Sequence, residues 1–391
     1  MNTQPKNQTN LRASDLRGLA RLATDATVGV TGVVENMHQA VMRTLGLGGN
    51  SGHERTAGLT GLVYRVIRGV MKGVGGGVHG ALKLIEPLAT DAEGDDVQDS
   101  PARLAVLSAL NGAIGDRLRD ADSPFALEMS LQRHRAWQPS TVDTASTKVL
   151  LLAHGLCMND LQWQLADGDG ATDLGVTLAH ALNYSPIYLR YNSGLPIAEN
   201  GQLLAQLMEQ QCANWPTPIT ELTLLGHSMG GLVLRSAVHQ AESADMRWPS
   251  LVKNLIFLGT PHHGAPLERA VYWVDQILTS TPYTAPFTKL GKLRSPGITD
   301  LRHGHIADEP VPLPDAVQCY AIAASTGQQA DTTKAAGDGL VSIDSALGKH
   351  SDPARCLAIP PEHRWIAENT NHLGLLGSDA VVRKLTAWLG N

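Results

Sequence analysis

The sequence predicts an α/β fold built on a mainly parallel sheet, and three observations carry the prediction. After Pro124, short apolar runs of strand type alternate with segments of helical period, as in strands joined by crossover helices. Residues 221–231 read Glu-Leu-Thr-Leu-Leu-Gly-His-Ser-Met-Gly-Gly, a strand that turns through Gly226-His227-Ser228-Met229-Gly230 directly into a helix. Residues 265–315 interrupt the alternation with Pro266, Pro282, Pro286, Pro296 and Pro310 around one apolar helix (Leu267, Val271, Val274, Leu278). An insertion there sits above the strand C-termini, the edge where α/β sheets bind ligands, and reads as a cap or lid.

The 391 residues divide into three parts. Residues 1–10 are polar and read as a disordered tail. Residues 11–120 read as a helical N-terminal extension. Leu11 to about Leu47 forms one helix, Gly46 to Gly52 breaks it, and Leu59 to Ile85 forms a second. In the second, Gly69, Gly73 and Gly77 are four apart, as are Gly76 and Gly80, giving a smooth ridge that lets another helix approach closely. Each glycine costs roughly 1 kcal/mol against alanine in a helix, so tight packing must offset the loss. Residues 11–85 thus read as a helical hairpin. An acidic linker follows, Asp91-Ala-Glu-Gly-Asp-Asp with Asp99 and Pro101, and then an amphipathic helix at 102–119 carrying Leu104, Leu107, Leu110 and Ile114.

The α/β domain occupies 121–391. Strands are expected at about 126–133, 148–153, 186–191, 221–225, 254–259, 316–323 and 355–359, and helices near 171–182, 198–213, 229–243 and 377–389. A net charge of −6 gives no reason to expect nucleic-acid binding. That total hides an asymmetry: residues 1–90 hold ten Lys/Arg and five Asp/Glu, so +5, which leaves −11 for the remainder. The four cysteines, Cys157, Cys212, Cys319 and Cys356, are scattered without a C-x-x-C pair, which argues against a zinc site or a disulfide scaffold. Cys319 and Cys356 lie in apolar strand-type runs and read as buried thiols. Residues 1–27 do not have the pattern of a signal peptide, and no long uncharged apolar run spans a membrane. The reading is a soluble, cytoplasmic protein.

Chemistry concentrates at Gly226–Gly230. G-x-S-x-G between a strand and a helix is the context of a nucleophile elbow, in which a sharp, strained turn lifts the serine Oγ above the sheet. The flanking residues must be small because strand and helix pass close there. A serine nucleophile needs a base, an orienting acid and donors for an oxyanion. Chain order in this arrangement is serine, acid, histidine. Asp338, between Gly337 and Gly339 in a tight turn, is the candidate acid; Asp344 is second and Asp331 weaker. His372, in Asn-His-Leu-Gly-Leu-Leu between the last strand and last helix, is the candidate base. Chain order removes His154, His227, His262 and His263 as bases, and His350 and His363 precede or crowd the last strand. The strand ending in His154-Gly155-Leu156-Cys157 supplies one oxyanion N–H from Leu156, with Cys157 as the alternative, and Met229 supplies the other. His154, Cys157, His227, His262 and His263 are expected around the pocket, with one of the His262-His263 pair hydrogen-bonded in its wall. That pair, like His303 and His305, lacks partners at ligand spacing, so no metal is expected.

Taken together, His-Gly-Leu-Cys-Met-Asn-Asp at 154–160, Gly-His-Ser-Met-Gly-Gly at 226–231, Gly-Thr-Pro-His-His-Gly-Ala-Pro at 259–266, Gly-Asp-Gly-Leu-Val at 337–341 and Asn-His-Leu-Gly-Leu-Leu at 371–376 resemble bacterial lipase/esterase-type α/β-hydrolases, close to the PGAP1-like lipases. The resemblance spans roughly 125–391. It implies an α/β-hydrolase fold and carboxylic-ester hydrolysis, with Ser228, Asp338 and His372 as the triad. The expected reaction needs no cofactor. The expected partner is an ester or lipid small molecule, with no nucleic acid. The basic hairpin at 11–85 reads either as a peripheral membrane contact, which would make the substrate a lipid, or as a layer packed on the hydrolase or on a second copy in a homodimer. An acyltransferase, a thioesterase, a phospholipase-type activity at a membrane surface, and a binding protein with a vestigial pocket are the alternatives.

Overall fold

Strands of a parallel sheet are covered by helices on both faces, so they must be apolar along their whole length. Leu150, Leu151, Leu152, Leu224, Leu225, Ile256 and Phe257 meet that demand and are fully buried. The computed structural model describes residues 101–133, 145–165, 172–264, 295–307, 309–327 and 337–390. The expectations for residues 1–100, for 265–294 of the cap and for Asp331 lie outside the described residues.

The order is α1 (Pro101–Asp120), β1 (Ser130–Gln132), β2 (Lys148–Ala153), the short β3 (Gln164–Leu165) and β4 (Thr172–Asp173), α2 (Leu174–Leu182), β5 (Ser185–Arg190), α3 (Ile197–Ala213), β6 (Glu221–His227), α4 (Met229–Ser243), β7 (Val252–Leu258), α5 (Pro296–His303), β8 (Gln318–Ala324), α6 (Ile343–Ala346), β9 (Arg364–Ala367) and α7 (Asp379–Leu389). Seven strands form one sheet in the order β1-β5-β2-β6-β7-β8-β9. Among the described residues, the one antiparallel pair of that sheet is β1–β5, while β3 and β4 form a separate antiparallel pair. The mainly parallel sheet of the sequence reading is thus observed, and every parallel strand ends at the same edge.

Helix ends follow local chemistry. Asp173 caps α2 by accepting from Val176 N–H, and Asn183 closes it in the left-handed region. Ser295 caps α5, with Pro296 in the first turn. Helices α3 and α4 cross at a glycine: a Cβ on Gly201 would lie 2.3 Å from Ser236 Oγ. Among the described residues, no helix is long and apolar enough to cross a membrane.

Two expectations require correction. Residues 355–359 are not a strand; the last strand is β9. Leu357 and Ile359 are buried while Cys356 and Ala358 are exposed, an alternation that mimics a half-buried strand. Pro360 and Pro361 follow at once and offer no N–H to a ladder. Cys356 is correspondingly exposed, whereas Cys319 is buried as expected.

Helix α1 joins the same core as the sheet. Leu104, Leu107, Leu110, Ile114 and Leu118 are buried, a gross gain on the order of 10 kcal/mol before the entropy of ordering. The helix seats through glycines: a Cβ on Gly112 would lie 2.2 Å from Cys157 Sγ, and one on Gly115 1.8 Å from Asn192 Oδ1. In an open helix, Gly→Ala gains about 1 kcal/mol. Here overpacking reverses the sign, and Gly115→Ala is expected to destabilise by about 1–3 kcal/mol. Urea unfolding of the two proteins checks this; a more stable variant contradicts the seating.

Candidate active site

Six loops meet where β2, β5, β6, β7, β8 and β9 end. At the centre is the β6–α4 turn. Ser228 has φ 56° and ψ −124°, a left-handed conformation that costs a non-glycine residue of order 1–3 kcal/mol. The neighbouring glycines make it sterically feasible. A Cβ on Gly226 would lie 2.4 Å from Gly231 N, and one on Gly230 2.1 Å from Ala153 O. Ser228 N–H donates to Leu258 O at 2.8 Å, which anchors the turn to β7. The Ser228 side chain is buried, and its Oγ has no hydrogen-bond partner among the described residues.

Asp338 and His372 are brought into direct contact. His372 Nδ1 lies 2.6 Å from Asp338 Oδ2, and both side chains are almost wholly buried. The other carboxylate oxygen accepts from Leu340 N–H at 2.9 Å and Val341 N–H at 2.8 Å. Burial pushes the Asp338 carboxyl up, but the charge and hydrogen bond of His372 and these two amides outweigh it and hold the group below its ordinary range. An ionised carboxylate only accepts, so His372 Nδ1 carries the proton and Nε2 is the basic nitrogen. The turn needs its glycines: a Cβ on Gly337 would lie 1.8 Å from Val341 O, and Gly339 has φ 93°.

His372 is tied to the serine turn through His227, the residue before Ser228. His227 Nε2 donates to His372 O at 3.1 Å, since a carbonyl can only accept, and the two rings lie 4.7 Å apart. Burial and the neighbouring His372 lower the His227 pKa to about 3. Gly259, at the end of β7, makes room: a Cβ there would lie 3.0 Å from His372 Cε1.

The β2 loop lies against the serine from the other side, where a Cβ on Gly155 would come 3.1 Å from Ser228 Cβ. Cys157 adopts φ 59° and its N–H donates to Ser193 Oγ at 3.0 Å. That bond occupies the Cys157 amide. Burial pushes the Cys157 thiol up to about 12, and its Sγ packs on Gly112 and Ala109 of α1, so it is a protonated core thiol on the helix side and not the pocket group expected from the sequence. His154 stacks on Tyr191 at 4.4 Å, and its Nδ1 donates to Gly155 O at 2.8 Å. Burial lowers its pKa to about 4.

His262 and His263 are placed elsewhere, in a cavity whose lining includes none of Ser228, Asp338 and His372. His262 Nδ1 meets Arg235 Nη1 at 3.3 Å, and His263 N–H donates to Ser345 Oγ at 3.1 Å. Ser193 and Arg235 are the residues that the sequence reading passed over. Ser193 had a faint signal, because Tyr-Asn-Ser-Gly follows a strand at 191–194 and places small polar groups at the binding edge. Among the described residues, no group of three or more His, Cys, Asp or Glu side chains could hold a metal ion.

Residues 188–303 match the family model of the PGAP1-like alpha/beta domain. No curated protein matches the chain. Similar solved structures include the mature form of Bacillus licheniformis lipase BlEst2, at 17% identity over 67% of this chain and 98% of that chain, with a TM-score of 0.42. A Pyrobaculum calidifontis esterase is similar at 12% identity over 75% of this chain and 95% of that one, TM-score 0.42. Aspergillus fumigatus lipase B is similar at 11% identity over 98% and 86%, TM-score 0.42. The sheet order with its β6–α4 turn is that of an α/β-hydrolase fold.

The buried imidazoles predict acid sensitivity. His154 and His227 have folded pKa values of about 4 and about 3, and burial beside Arg235 holds His262 well below 6.5. Below pH 6.5 the unfolded chain takes up protons that the folded chain refuses, so stability falls as pH drops from 6.5 toward 4. Each group contributes about 1 kcal/mol per pH unit. Urea midpoints at pH 7.5, 6 and 5 check this; a flat profile contradicts the neutral assignment.

Proposed function

We propose that this chain is a serine hydrolase that cleaves carboxylic esters through Ser228, His372 and Asp338. The observation that carries the reading is the buried Asp338–His372 hydrogen bond, tied through His227 to the strained strand-to-helix turn that holds Ser228. His372 Nε2 takes the Ser228 proton as Oγ attacks the ester carbonyl. Asp338 keeps the imidazole in the required tautomer and supports the imidazolium that forms. The N–H groups of Leu156 and Met229 receive the oxyanion, aided by the water-poor surroundings. The alcohol leaves with the proton from His372, and water activated by the same imidazole releases the acid. No step calls on a cofactor.

Turnover of p-nitrophenyl esters tests the reading. Ser228→Ala is expected to lose roughly ten-thousand-fold or more in kcat. Asp338→Asn is expected to lose about 10⁴-fold, because an amide cannot hold the same tautomer. Parent-like rates in either variant contradict the mechanism. A matched thioester in the same assay separates ester from thioester preference, and an acyl-length series defines the acid.

Ser193 acts through the β2 loop, so its loss moves a donor without removing it. Ser193→Ala is expected to lower kcat on the order of tenfold, less than the ~10²–10³ for deleting an oxyanion donor. KM is expected to change little, and Ser193→Thr to restore most of the rate. A variant that raises KM alone contradicts the positioning role.

A further inference from the structure

The loop after β2 leaves the sheet at Ala153 and passes Ser228 at Gly155. Three of its tethers come from one segment, the exit of β5. Tyr191 Oη donates to His154 O at 2.8 Å, and Ser193 Oγ accepts from Cys157 N–H at 3.0 Å. Arg190 grips Asp160 in a two-pronged ion pair at 2.7 and 3.0 Å. Residues 190–193 thus serve as a template along 154–160.

The template is held in turn by α1, the helix that ends the N-terminal extension read from the sequence. Asn192 Nδ2 donates to Gly115 O at 2.9 Å, and Asn192 Oδ1 accepts from Gly194 N–H at 3.1 Å. A Cβ on Gly194 would meet Gly115 N at 2.9 Å and lie closer still to Asn111 O. Helix α1 also touches the β2 loop directly. A Cβ on Gly112 would collide with Cys157 Sγ and stand 3.0 Å from Cys157 N and Cα. Asn192, Ser193 and Cys157 are all buried, and in a close-packed interior a shift of one is passed to the next. The strain at Cys157 shows how firmly the loop is held. A non-glycine residue at φ 59° persists only where its surroundings over-determine it. Those surroundings are α1 at the thiol and Ser193 at the amide. An oxyanion donor must sit about 2.7–3.1 Å from the developing charge, so a shift of about half an ångström in this loop is felt in the rate.

We propose that α1 is part of the catalytic apparatus: Gly112, and Asn192 which α1 anchors, are positioning residues that hold the β2 loop and its oxyanion donor beside Ser228. The inference rests on the hydrolase reading of Ser228. Rates on a p-nitrophenyl ester are taken per serine titrated with a fluorophosphonate, on full-length variants folded by circular dichroism. Asn192→Ala is expected to lower kcat on the order of tenfold and to leave KM within about twofold. Gly112→Ala is expected to do likewise. Adding Cys157→Ala, which removes the collision with Sγ, is expected to recover about threefold. Hydrogen exchange on the parent needs neither a variant nor an ester. There the amides of 156–158 and of 111–115 are expected to open together, with one denaturant dependence. Separate opening, parent-like kcat in Asn192→Ala, a change in KM alone, or no recovery in the double variant overturns the proposal and leaves the hydrolase reading standing. A parent no faster than Ser228→Ala overturns that reading, and the proposal with it.

Discussion

Backbone contact at the β6–α4 turn is the constraint on which the rest of the molecule depends. Strand, helix and the end of β2 approach so closely that side chains are excluded at three points. Gly226 faces Gly231, Gly230 faces Ala153 O, and a Cβ on Gly231 would lie 2.1 Å from Thr260 Oγ1. The height of Ser228 above the sheet is therefore set by main chain, which does not hop between rotamers. The loops after β2, β7 and β9 close onto that fixed point. His227 ties the last of them to the turn, since its side chain joins the serine turn to the His372 carbonyl.

The electrostatics follow from enclosure. Asp338 is a buried negative charge, and its support comes from His372 and two amides. The other imidazoles nearby, His154 and His227, are held neutral by desolvation. The field of the carboxylate thus acts chiefly on one ring. A charged histidine at 154 or 227 would compete for it and weaken the tautomeric control of His372.

What was legible in the sequence was what backbone geometry demands. Glycines around Ser228 and Asp338, and the order serine, aspartate, histidine along the chain, are rules of chain path and can be read without coordinates. The last strand was not legible, because 355–359 alternates as a half-buried strand would while Arg364–Ala367 is only four residues and does not. What separates them is a partner edge: Ala321–Ala324 of β8 pairs with the second. The partner of the Cys157 amide was likewise hidden, because Ser193 lies 36 residues away. The Arg235–His262 contact joins two elements that no local pattern connects.

Helix α1 places a demand on how the chain is made. Its seat is built from later segments: Asn192 Nδ2 donates to Gly115 O across 77 residues, and Ser295 Oγ to Gly112 O across 183. At synthesis rates of about 5–20 residues per second, α1 leaves the ribosome roughly 10–40 seconds before Ser295 exists. Through that interval part of its seat is still missing. Such long-range closure slows folding and leaves an apolar helix open to wrong partners. The glycine notches that fit α1 to its seat so tightly can therefore close only after Ser295 is made, and the growing chain must be kept from aggregating until then.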